Sequence, residues 1–539
     1  MKPCRSVKMV LLSVLVLSAL VLSSCQPATP APPPAPKTGG ELVVITKTEP
    51  DTLDPHQTQS RYASIVMNAM FESLVYMDKD LKVQPGLATS WEVSPDKLSW
   101  TFKLRQGIKF HDGTPFNAEA AKFNFDRIVD PGIKSVGAGV IIGPYKSSEV
   151  IDEYTVKVNF SEPYGAFLNA MAEAYGWFAM VSPEAAKKYG KDFNLNPVGT
   201  GPFKFEKYVP QQMVSMVRNP DYNWGAEFHP YRGAAYLDKI TFRFVSEDST
   251  RVAALETGEA DVIMEIPPRD VQRIRDDKRF EVISAGVPGV PVVAIMNMKK
   301  PPLDDLKVRQ AINFAVDQER VVKQLYAGEW FAAHNVLAPQ TWAYDEQAAK
   351  TYTYDPEKAK KLLDEAGWKP GPDGIRVKEG KRLELLYLAL FAPPYDPGEA
   401  LQAQLREVGI DLKVQVLEGA QHRAACRRGD HDLAWTRWVS LDPMVLDTYF
   451  NSKNIGTGFN YTHVPDPEMD ALLAESRAET DQNKRREIFV KMQRKIMNEA
   501  MVVPVHLTVM IVGMKAEVEG FELGPGGFIP WRYNQWGKR

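Results

Sequence analysis

The stretch Leu87–Ile128, LATSWEVSPDKLSWTFKLRQGIKFHDGTPFNAEAAKFNFDRI, carries the clearest fold information in the chain. Its first half alternates apolar and polar residues on both sides of the turn residues Ser-Pro-Asp-Lys at 94–97, which predicts a β-hairpin. Its second half contains Asn117, a residue suited to cap a helix, followed by apolar residues at helical spacing. The stretch therefore predicts a hairpin followed by a helix.

The segment before this stretch indicates the start of an α/β lobe. Glu41–Thr46 is a short apolar run with strand character. Arg61–Met77 has apolar residues at mixed spacings of three and four, which favours a helix over its whole length. The chain has 539 residues, too many for one hydrophobic core, so we expect at least two lobes.

Later segments contain complete helix signals. Asp355 before Pro356, with Gly367 at the far end, predicts a capped helix, and Asp466 and Asp481 predict the starts of two more. Gly258 predicts the left-handed end of another helix, followed by a strand at 262–264. We interpret these residues as determinants of the fold and assign them no chemistry.

The stretch Leu87–Ile128 resembles the signature of family 5 of the extracytoplasmic solute-binding proteins of ABC importers, which includes dipeptide-, oligopeptide- and nickel-binding proteins. Further segments fall where that family places them: Gly199–Phe203, Arg218–Tyr222, Leu255–Asp261, Val308–Asn313 and Tyr354–Ala359. The resemblance extends over roughly residues 40–510.

The resemblance implies an α/β periplasmic-binding-protein type II fold, with two lobes, two chain crossings between them and an additional α/β subdomain on the first lobe. The expected parts are lobe I at 40–85, 195–290 and 510–539, the subdomain at 86–194, and lobe II at 291–509. We expect the crossings near Val293–Asn297 and Val503–His506, which are apolar runs.

Residues 1–24 predict a secretory signal peptide, with basic residues before an apolar run at Met9–Leu22 that is shorter than a membrane-spanning helix. The ending Leu22-Ser-Ser-Cys25 resembles a bacterial lipobox, in which Cys25 becomes the lipidated first residue of the mature protein. A cleaved signal that happens to end near a cysteine is the alternative. The Pro/Ala-rich residues 25–39 predict an extended tether.

Composition narrows the classes of partner. The formal net charge is −3, so no basic balance indicates nucleic acid or an anionic membrane surface. Of the three cysteines, Cys4 lies in the signal and Cys25 is assigned to the lipid, which leaves Cys426 as the only thiol. We therefore expect no disulfide within the mature chain, and we expect a monomer that is stabilised by packing alone.

The chain lacks the motifs Gly-x-Ser-x-Gly, His-Glu-x-x-His, Gly-x-x-x-x-Gly-Lys-Ser/Thr and Cys-x-x-Cys. We therefore predict no enzyme activity and no cofactor. Gly137–Gly139 favours a flexible loop. His422, Cys426 and His431 are ligand types for zinc or nickel, but neighbouring arginines would repel a cation, so we predict no metal site there.

Asp432–Phe450, DLAWTRWVSLDPMVLDTYF, is the stretch that we expect to bind a ligand, because the resemblance implies that this region lines the cleft between the lobes. Aromatic faces, a guanidinium and a carboxylate are available there. The candidate residues are Trp435, Arg437, Trp438 and Asp442, with Phe391 and Tyr395 from the loop 387–395, and Tyr175 and Trp177 from the first lobe. The alternative is that the tryptophans fill the core of the second lobe.

The stretch also departs from the family. In the peptide-binding members of that family, an aspartate shortly follows the tryptophan of the corresponding strand and pairs with the α-amine of the ligand. Here Trp438 and Val439 occupy that neighbourhood, and the next acid is Asp442. Either Asp442 takes the role from a shifted position or the ligand is not an ordinary peptide. The loop 387–395 has no basic residue for a carboxylate, so an oligosaccharide or a capped or hydrophobic peptide is also considered.

These observations predict a lipid-anchored, extracytoplasmic solute-binding subunit of an ABC importer that delivers a peptide-like solute to the permease subunits. An oligosaccharide receptor of the same family is the first alternative. A sensor that presents its closed form to a signalling receptor and a metal or metallophore receptor are further alternatives. Which membrane holds the anchor stays open.

Overall fold

The computed structural model describes residues 37–173, 175–391 and 396–539. The predicted signal peptide, Cys25 and most of the predicted tether lie outside the described residues, and so does Tyr395. Residues 37–539 form one compact unit. None of the helices in the described ranges is both long enough and apolar enough to cross a bilayer.

A seven-stranded sheet is built from both ends of the described chain. Its strands, in spatial order, are Phe280–Gly286, Val509–Lys515, Val262–Met264, Glu41–Thr46, Lys239–Phe244, Met213–Arg218 and Phe203–Val209. The predicted strand Glu41–Thr46 is central and pairs in parallel with both neighbours. Its side chains at Leu42, Val44 and Ile45 are fully buried, which explains the apolar run in the sequence.

A five-stranded sheet is built from the later part of the chain. Its strands, in spatial order, are Asp411–Val416, Glu384–Ala389, Leu433–Val439, Gly289–Met296 and Val502–His506. Gly289–Met296 is antiparallel to both of its neighbours, and Glu384–Ala389 is parallel to both of its own. The stretch that we expect to bind ligand thus begins on a strand within this sheet.

The opening stretch of the sequence analysis folds as expected. Ala88–Val93 and Ser99–Leu104 form an antiparallel hairpin within a four-stranded sheet, which Thr155–Phe160 and Tyr145–Asp152 complete. Asn117 caps the following helix, because its side-chain oxygen accepts a hydrogen bond from the Ala120 amide at 3.0 Å. Hairpin and helix share one hydrophobic cluster.

The remaining elements are helices and short strands that form small sheets of two or three strands. The helices in the described ranges are Arg61–Met67, Ala118–Val129, Ala138–Ile141, Phe167–Met171, Pro183–Tyr189, Asp248–Thr257, Pro268–Asp276, Leu306–Ala315, Gln318–Tyr326, Pro356–Glu365, Gly398–Glu407, Gly419–Arg428, Val445–Phe450, Pro467–Ala478 and Gln482–Asn498. The short strands are Val75–Met77, Val83–Pro85, Lys369–Pro370, Arg376–Lys378, Lys381–Arg382, Val518–Glu519, Glu522–Leu523, Pro530–Trp531 and Gly537–Lys538.

The capping signals read from the sequence are confirmed. Asp355, Asp466 and Asp481 each accept hydrogen bonds from backbone amides in the first turns of their helices. Gly258 ends its helix with φ +85°, a left-handed conformation that suits glycine, and a strand follows.

The predicted helix over Arg61–Met77 is wrong in its second half, because the helix ends at Met67 and the chain forms a strand at Val75–Met77. The backbone after the helix bonds to another loop instead. The carbonyl of Met70 accepts a hydrogen bond from the Gly201 amide at 2.8 Å. The loop approaches so closely that a Cβ on Gly199 would lie 2.2 Å from that carbonyl oxygen. Likewise, the loop expected at Gly137–Gly139 contains the start of the short helix Ala138–Ile141.

The chain passes between the two large sheets at residues 286–289 and 506–509. These crossings are neighbours, because the Val287 amide donates to the Thr508 carbonyl at 3.0 Å. The run Val293–Asn297, where we expected the first crossing, lies mostly within a strand of the five-stranded sheet instead. The run Val503–His506 is also strand, but the second crossing follows directly at its end, near where we expected it. The division into lobes that move as units stays a prediction.

Candidate functional site

A cavity of about 730 Å³ lies between the seven-stranded and the five-stranded sheets, next to both chain crossings. The side of the seven-stranded sheet contributes Tyr62 and Glu265. The side of the five-stranded sheet contributes Trp435, Arg437 and His506. The volume is within the range of about 300–1,000 Å³ that is usual for small-molecule sites.

The wall of the cavity is rich in aromatic rings. The rings that line it are Tyr62, Tyr175, Tyr326, Trp330, Phe391, Trp435 and Phe528. Tyr326 and Trp330 stack with 3.9 Å between ring centroids and an interplanar angle of 11°. Phe391 meets Trp435 edge to face at 5.2 Å. Such surfaces bind apolar side chains and sugar faces alike.

The strand Leu433–Val439 divides its side chains between two faces, because successive residues of a strand point in opposite directions. Trp435, Arg437 and Val439 line the cavity. Trp435 is 7% exposed, and its indole N–H has no hydrogen-bond partner among the described residues. Trp438 is 40% exposed and instead contacts the ring of Phe459 at 5.7 Å.

Arg437 brings a guanidinium to the cavity without a carboxylate partner among the described residues. Its Nη1 donates to the hydroxyl of Thr508 at 2.7 Å, which links the strand to the second crossing. Burial lowers the pKa of Arg437, and the positive charge of Arg61 lowers it further. A guanidinium in this setting favours a negatively charged ligand group.

The opposite wall carries a charge cluster that the sequence analysis missed. Arg61 pairs with Glu265, and the hydroxyl of Tyr62 donates to the same carboxylate at 2.9 Å. Burial opposes the charge of Arg61, but Glu265 raises its pKa. Glu265 has φ +60°, a left-handed conformation that is uncommon outside glycine and costs energy.

The structure does not bring Asp442 to the cavity. Its carboxylate accepts hydrogen bonds from Arg485 at 3.1 Å to each oxygen and from the Asn169 amide group at 2.6 Å. The side chain of Arg485 is 2% exposed, so this ion pair is buried. We therefore remove Asp442 from the candidate ligand-binding residues, since its charge is already compensated within the fold.

Of the other candidate ligand-binding residues, some line the cavity and some do not. Tyr175 and Phe391 line the cavity, whereas Trp177 stacks on Tyr175 at 4.4 Å and does not itself line it. Trp438 faces away, and Tyr395 is outside the described residues. The ligand roles of all these residues stay predictions.

Two of the residues considered as metal ligands, His422 and Cys426, have structural contacts within the fold. His422 and Cys426 share one face of the helix Gly419–Arg428, and His422 Nε2 lies 3.2 Å from the Leu388 carbonyl. Burial raises the pKa of the Cys426 thiol to about 12. Over the described ranges, no group of three or more His, Cys, Asp or Glu side chains is arranged to hold a metal ion.

Local sequence patterns do not predict several of the residues that line the cavity. Tyr326 is the last residue of the helix Gln318–Tyr326, and Trp330 follows the left-handed residues Ala327 and Gly328, so helical spacing does not predict that their rings stack. Arg61, Glu265 and Thr508 are separated by about 200 residues or more, and only the fold brings them together.

A cavity between two α/β sheets that are linked by paired crossings defines a protein that encloses a solute. The model of bacterial extracellular solute-binding proteins, family 5 (middle part), matches residues 82–460. The chain therefore belongs to this family, which serves ABC importers outside the cytoplasm, and it is a binding protein rather than an enzyme.

Individual relatives agree with this assignment. The glutathione-binding protein GsiB of Salmonella typhi is 30% identical over 519 residues, 94% of this chain and 96% of that protein. NikA from Brucella suis, solved in complex with Fe(III)-EDTA, has a TM-score of 0.80 and 26% identity, covering 93% of this chain and 100% of NikA. DppA from Helicobacter pylori, solved with the peptide STSA, has a TM-score of 0.69 and 26% identity, covering 92% and 98%.

Proposed function

We propose that this protein is the lipid-anchored solute-binding subunit of an ABC importer, and that it captures a peptide-like solute in the cavity between its sheets. The carrying observation is a half-buried guanidinium, Arg437, that faces the cavity beside Trp435 and has no carboxylate partner among the described residues. A peptide offers a carboxylate that can bind Arg437 and a side chain or peptide plane that can pack against Trp435. Relatives named for glutathione and solved with a peptide support this class of solute.

Binding and closure would be one process. Residues on both sheets line the cavity, so a solute makes its full set of contacts only when both walls meet it. The paired crossings at 286–289 and 506–509 are the natural hinge, because few backbone torsions need to change there. The closed form would then be delivered to the permease, with no covalent chemistry.

An anchor would keep this receptor close to its permease. Cys25 supplies the lipidated residue and residues 25–39 supply a Pro-rich spacer. The test is to label cells that express the protein with a palmitate analogue. The wild type should carry the label and fractionate with membranes, and Cys25→Ser should lose both properties. A labelled Cys25→Ser protein would contradict the anchor.

An oligosaccharide is the second candidate solute. It is favoured by the number of aromatic rings around the cavity, because flat rings stack on sugar faces. It is disfavoured by Arg437, whose charge a neutral sugar would leave without a partner.

Calorimetric titration separates the two classes of solute. Glutathione, a neutral tripeptide and maltotetraose are added in turn to the purified mature protein. We expect a peptide to bind and to raise the melting temperature, since a ligand at 100 times its Kd stabilises the folded state by about 2.7 kcal/mol. Binding of maltotetraose without binding of either peptide would favour the alternative.

A further inference from the structure

Positive charge predominates around the cavity. Among the described residues that line it, the cationic side chains are Lys47, Arg61, Arg251, Arg269 and Arg437, and the carboxylates are Asp248 and Glu265. His506 also lines the cavity, but burial lowers its pKa to about 4, so it is neutral at pH 7.

Both carboxylates of the lining are already engaged by protein cations. Asp248 lies 2.7 Å from Arg251 and 3.4 Å from Lys47. Glu265 pairs with Arg61 and accepts the hydrogen bond of the Tyr62 hydroxyl. A free ammonium group of a solute would therefore compete with an existing ion pair for either acid.

These pairs leave Arg269 and Arg437. Arg269 lies 3.4 Å from its neighbour Asp270, so Arg437 is the lining cation without a carboxylate partner among the described residues. Its polar contact is the Thr508 hydroxyl, which is uncharged, and its neighbouring charge is the cation Arg61. A solute without net charge would be enclosed together with this excess positive charge. Because an uncompensated charge is strongly disfavoured away from water, a solute with a net negative charge is enclosed more favourably.

We infer that the cavity selects solutes of net negative charge and that the anionic group of the solute binds the guanidinium of Arg437. This inference rests on the proposed function of the cavity as the solute site. It narrows the class of solute to peptides whose carboxylates outnumber their amines, either through an acidic side chain or through a blocked amine.

A charge series on one peptide skeleton tests the inference. The probes are the tripeptide Ala-Phe-Gly as its N-acetyl acid, as the free zwitterion and as the free amine with a C-terminal amide, titrated calorimetrically at pH 7. These forms carry net charges of about −1, 0 and +1 at that pH. We expect the N-acetyl acid to bind about tenfold more tightly than the zwitterion, and the amide to bind more weakly still.

Replacing Arg437 should remove this order of affinities among the three peptide forms. In Arg437→Gln the forms should bind with affinities within about threefold of each other, because the excess charge is absent. The matched control is Arg279→Gln, which removes an exposed arginine paired with Asp277 and should keep the wild-type order.

The outcomes separate the inference from the proposed function. Equal binding of the N-acetyl acid and the zwitterion by the wild type, or an unchanged order in Arg437→Gln, would overturn the inference while peptide binding stands. If none of the peptides binds and maltotetraose does, the proposed peptide function fails and the inference fails with it. No binding of any of these solutes would count against both.

Discussion

Trp435 and Trp438 lie three residues apart on one strand and point to opposite faces, so they form a matched pair for mutation. We expect Trp435→Ala to weaken solute binding about tenfold or more, because a large buried ring in a binding site is a typical energetic hot spot. Trp438→Ala should change the Kd less than about twofold, since that ring is 40% exposed and lies outside the cavity. Calorimetry on both variants checks this, and equal losses would contradict the cavity assignment.

Asp442 provides a second test at the scale of a residue. We expect Asp442→Asn to lower the free energy of unfolding by about 3–5 kcal/mol, because it leaves the buried Arg485 without its counter-ion. Folded Asp442→Asn should still bind solute with nearly the wild-type Kd. Urea unfolding and calorimetry measure the two quantities. A large loss of affinity at unchanged stability would restore Asp442 as a ligand-binding residue.

For single residues, the sequence indicates which strand carries candidate site residues, but it does not indicate which of their side chains line the cavity. The two-residue period of a strand tells that Trp435 and Arg437 share a face and that Trp438 does not, but it does not tell which face meets the cavity. The partners of Asp442 lie 43 and 273 residues away in sequence, at Arg485 and Asn169. Such long-range ion pairs and hydrogen bonds leave no local pattern.

Among the secondary-structure elements, the contact between the predicted subdomain and the later part of the chain is unusually close. The Gly165 amide donates to the Arg477 carbonyl at 2.7 Å, and a Cβ on Gly165 would lie only 1.7 Å from the Glu479 carbonyl oxygen. Nearby, Leu441 is fully buried and joins the hydrophobic cluster of the four-stranded sheet. Leu441 and Gly165 therefore connect segments that are distant in sequence.

We expect Gly165→Ala to lower the free energy of unfolding by about 2 kcal/mol, because backbone must shift to admit the methyl group. The matched control is Gly419→Ala, at the first residue of a helix, where the nearest atom is the flexible end of Arg423 at 3.4 Å. The control should be neutral or slightly stabilising. Chemical denaturation of both variants decides, and an undisturbed Gly165→Ala would show that this contact is not maintained in solution.

Elements with their own capping signals could be predicted, and elements defined by distant partners could not. The helices that begin after Asp355, Asp466 and Asp481 follow from local hydrogen bonds. The sequence predicts too long a helix from Arg61, because the residues after Met67 are also mostly buried and therefore apolar. Their apolar positions happen to match the spacing of a helix. Their backbone bonds to the loop at 199–203, which the sequence does not reveal.

For the whole molecule, buried acids and buried histidines predict opposite effects of pH on stability. Burial raises the pKa of Glu173 to about 8, with a smaller contribution from the nearby charge of Asp442 and an opposing one from the hydrogen bond of the Leu441 amide. The folded state then holds a proton that the unfolded state releases. Stability contributed by Glu173 is complete at low pH and is lost as pH rises from about 4.5 to about 8.

We therefore expect the wild type to lose stability between pH 6 and pH 8, and Glu173→Gln to lose about 2 kcal/mol less over that interval. Melting temperatures measured across this range check the prediction. Parallel curves for the two proteins would contradict it. Below about pH 6 the trend should reverse in both, because burial lowers the pKa of His56 and of His506 to about 4, and protonation then favours unfolding.

The division of the molecule into an α/β fold with separate large sheets could be predicted, because the resemblance covers most of the chain. The position of the first crossing could not, since the strands on either side of it contain apolar runs alike. The residues that line the cavity are determined by how the two large sheets pack, so they could be identified only from the structure.

Native mass spectrometry of the purified protein tests the central claim, which is that a solute binds between the sheets against Trp435 and Arg437. Wild type and Trp438→Ala should each retain a bound solute as the same added mass. The double variant Trp435→Ala, Arg437→Gln should be folded and should retain none. Equal retention of that mass by the double variant would contradict the account.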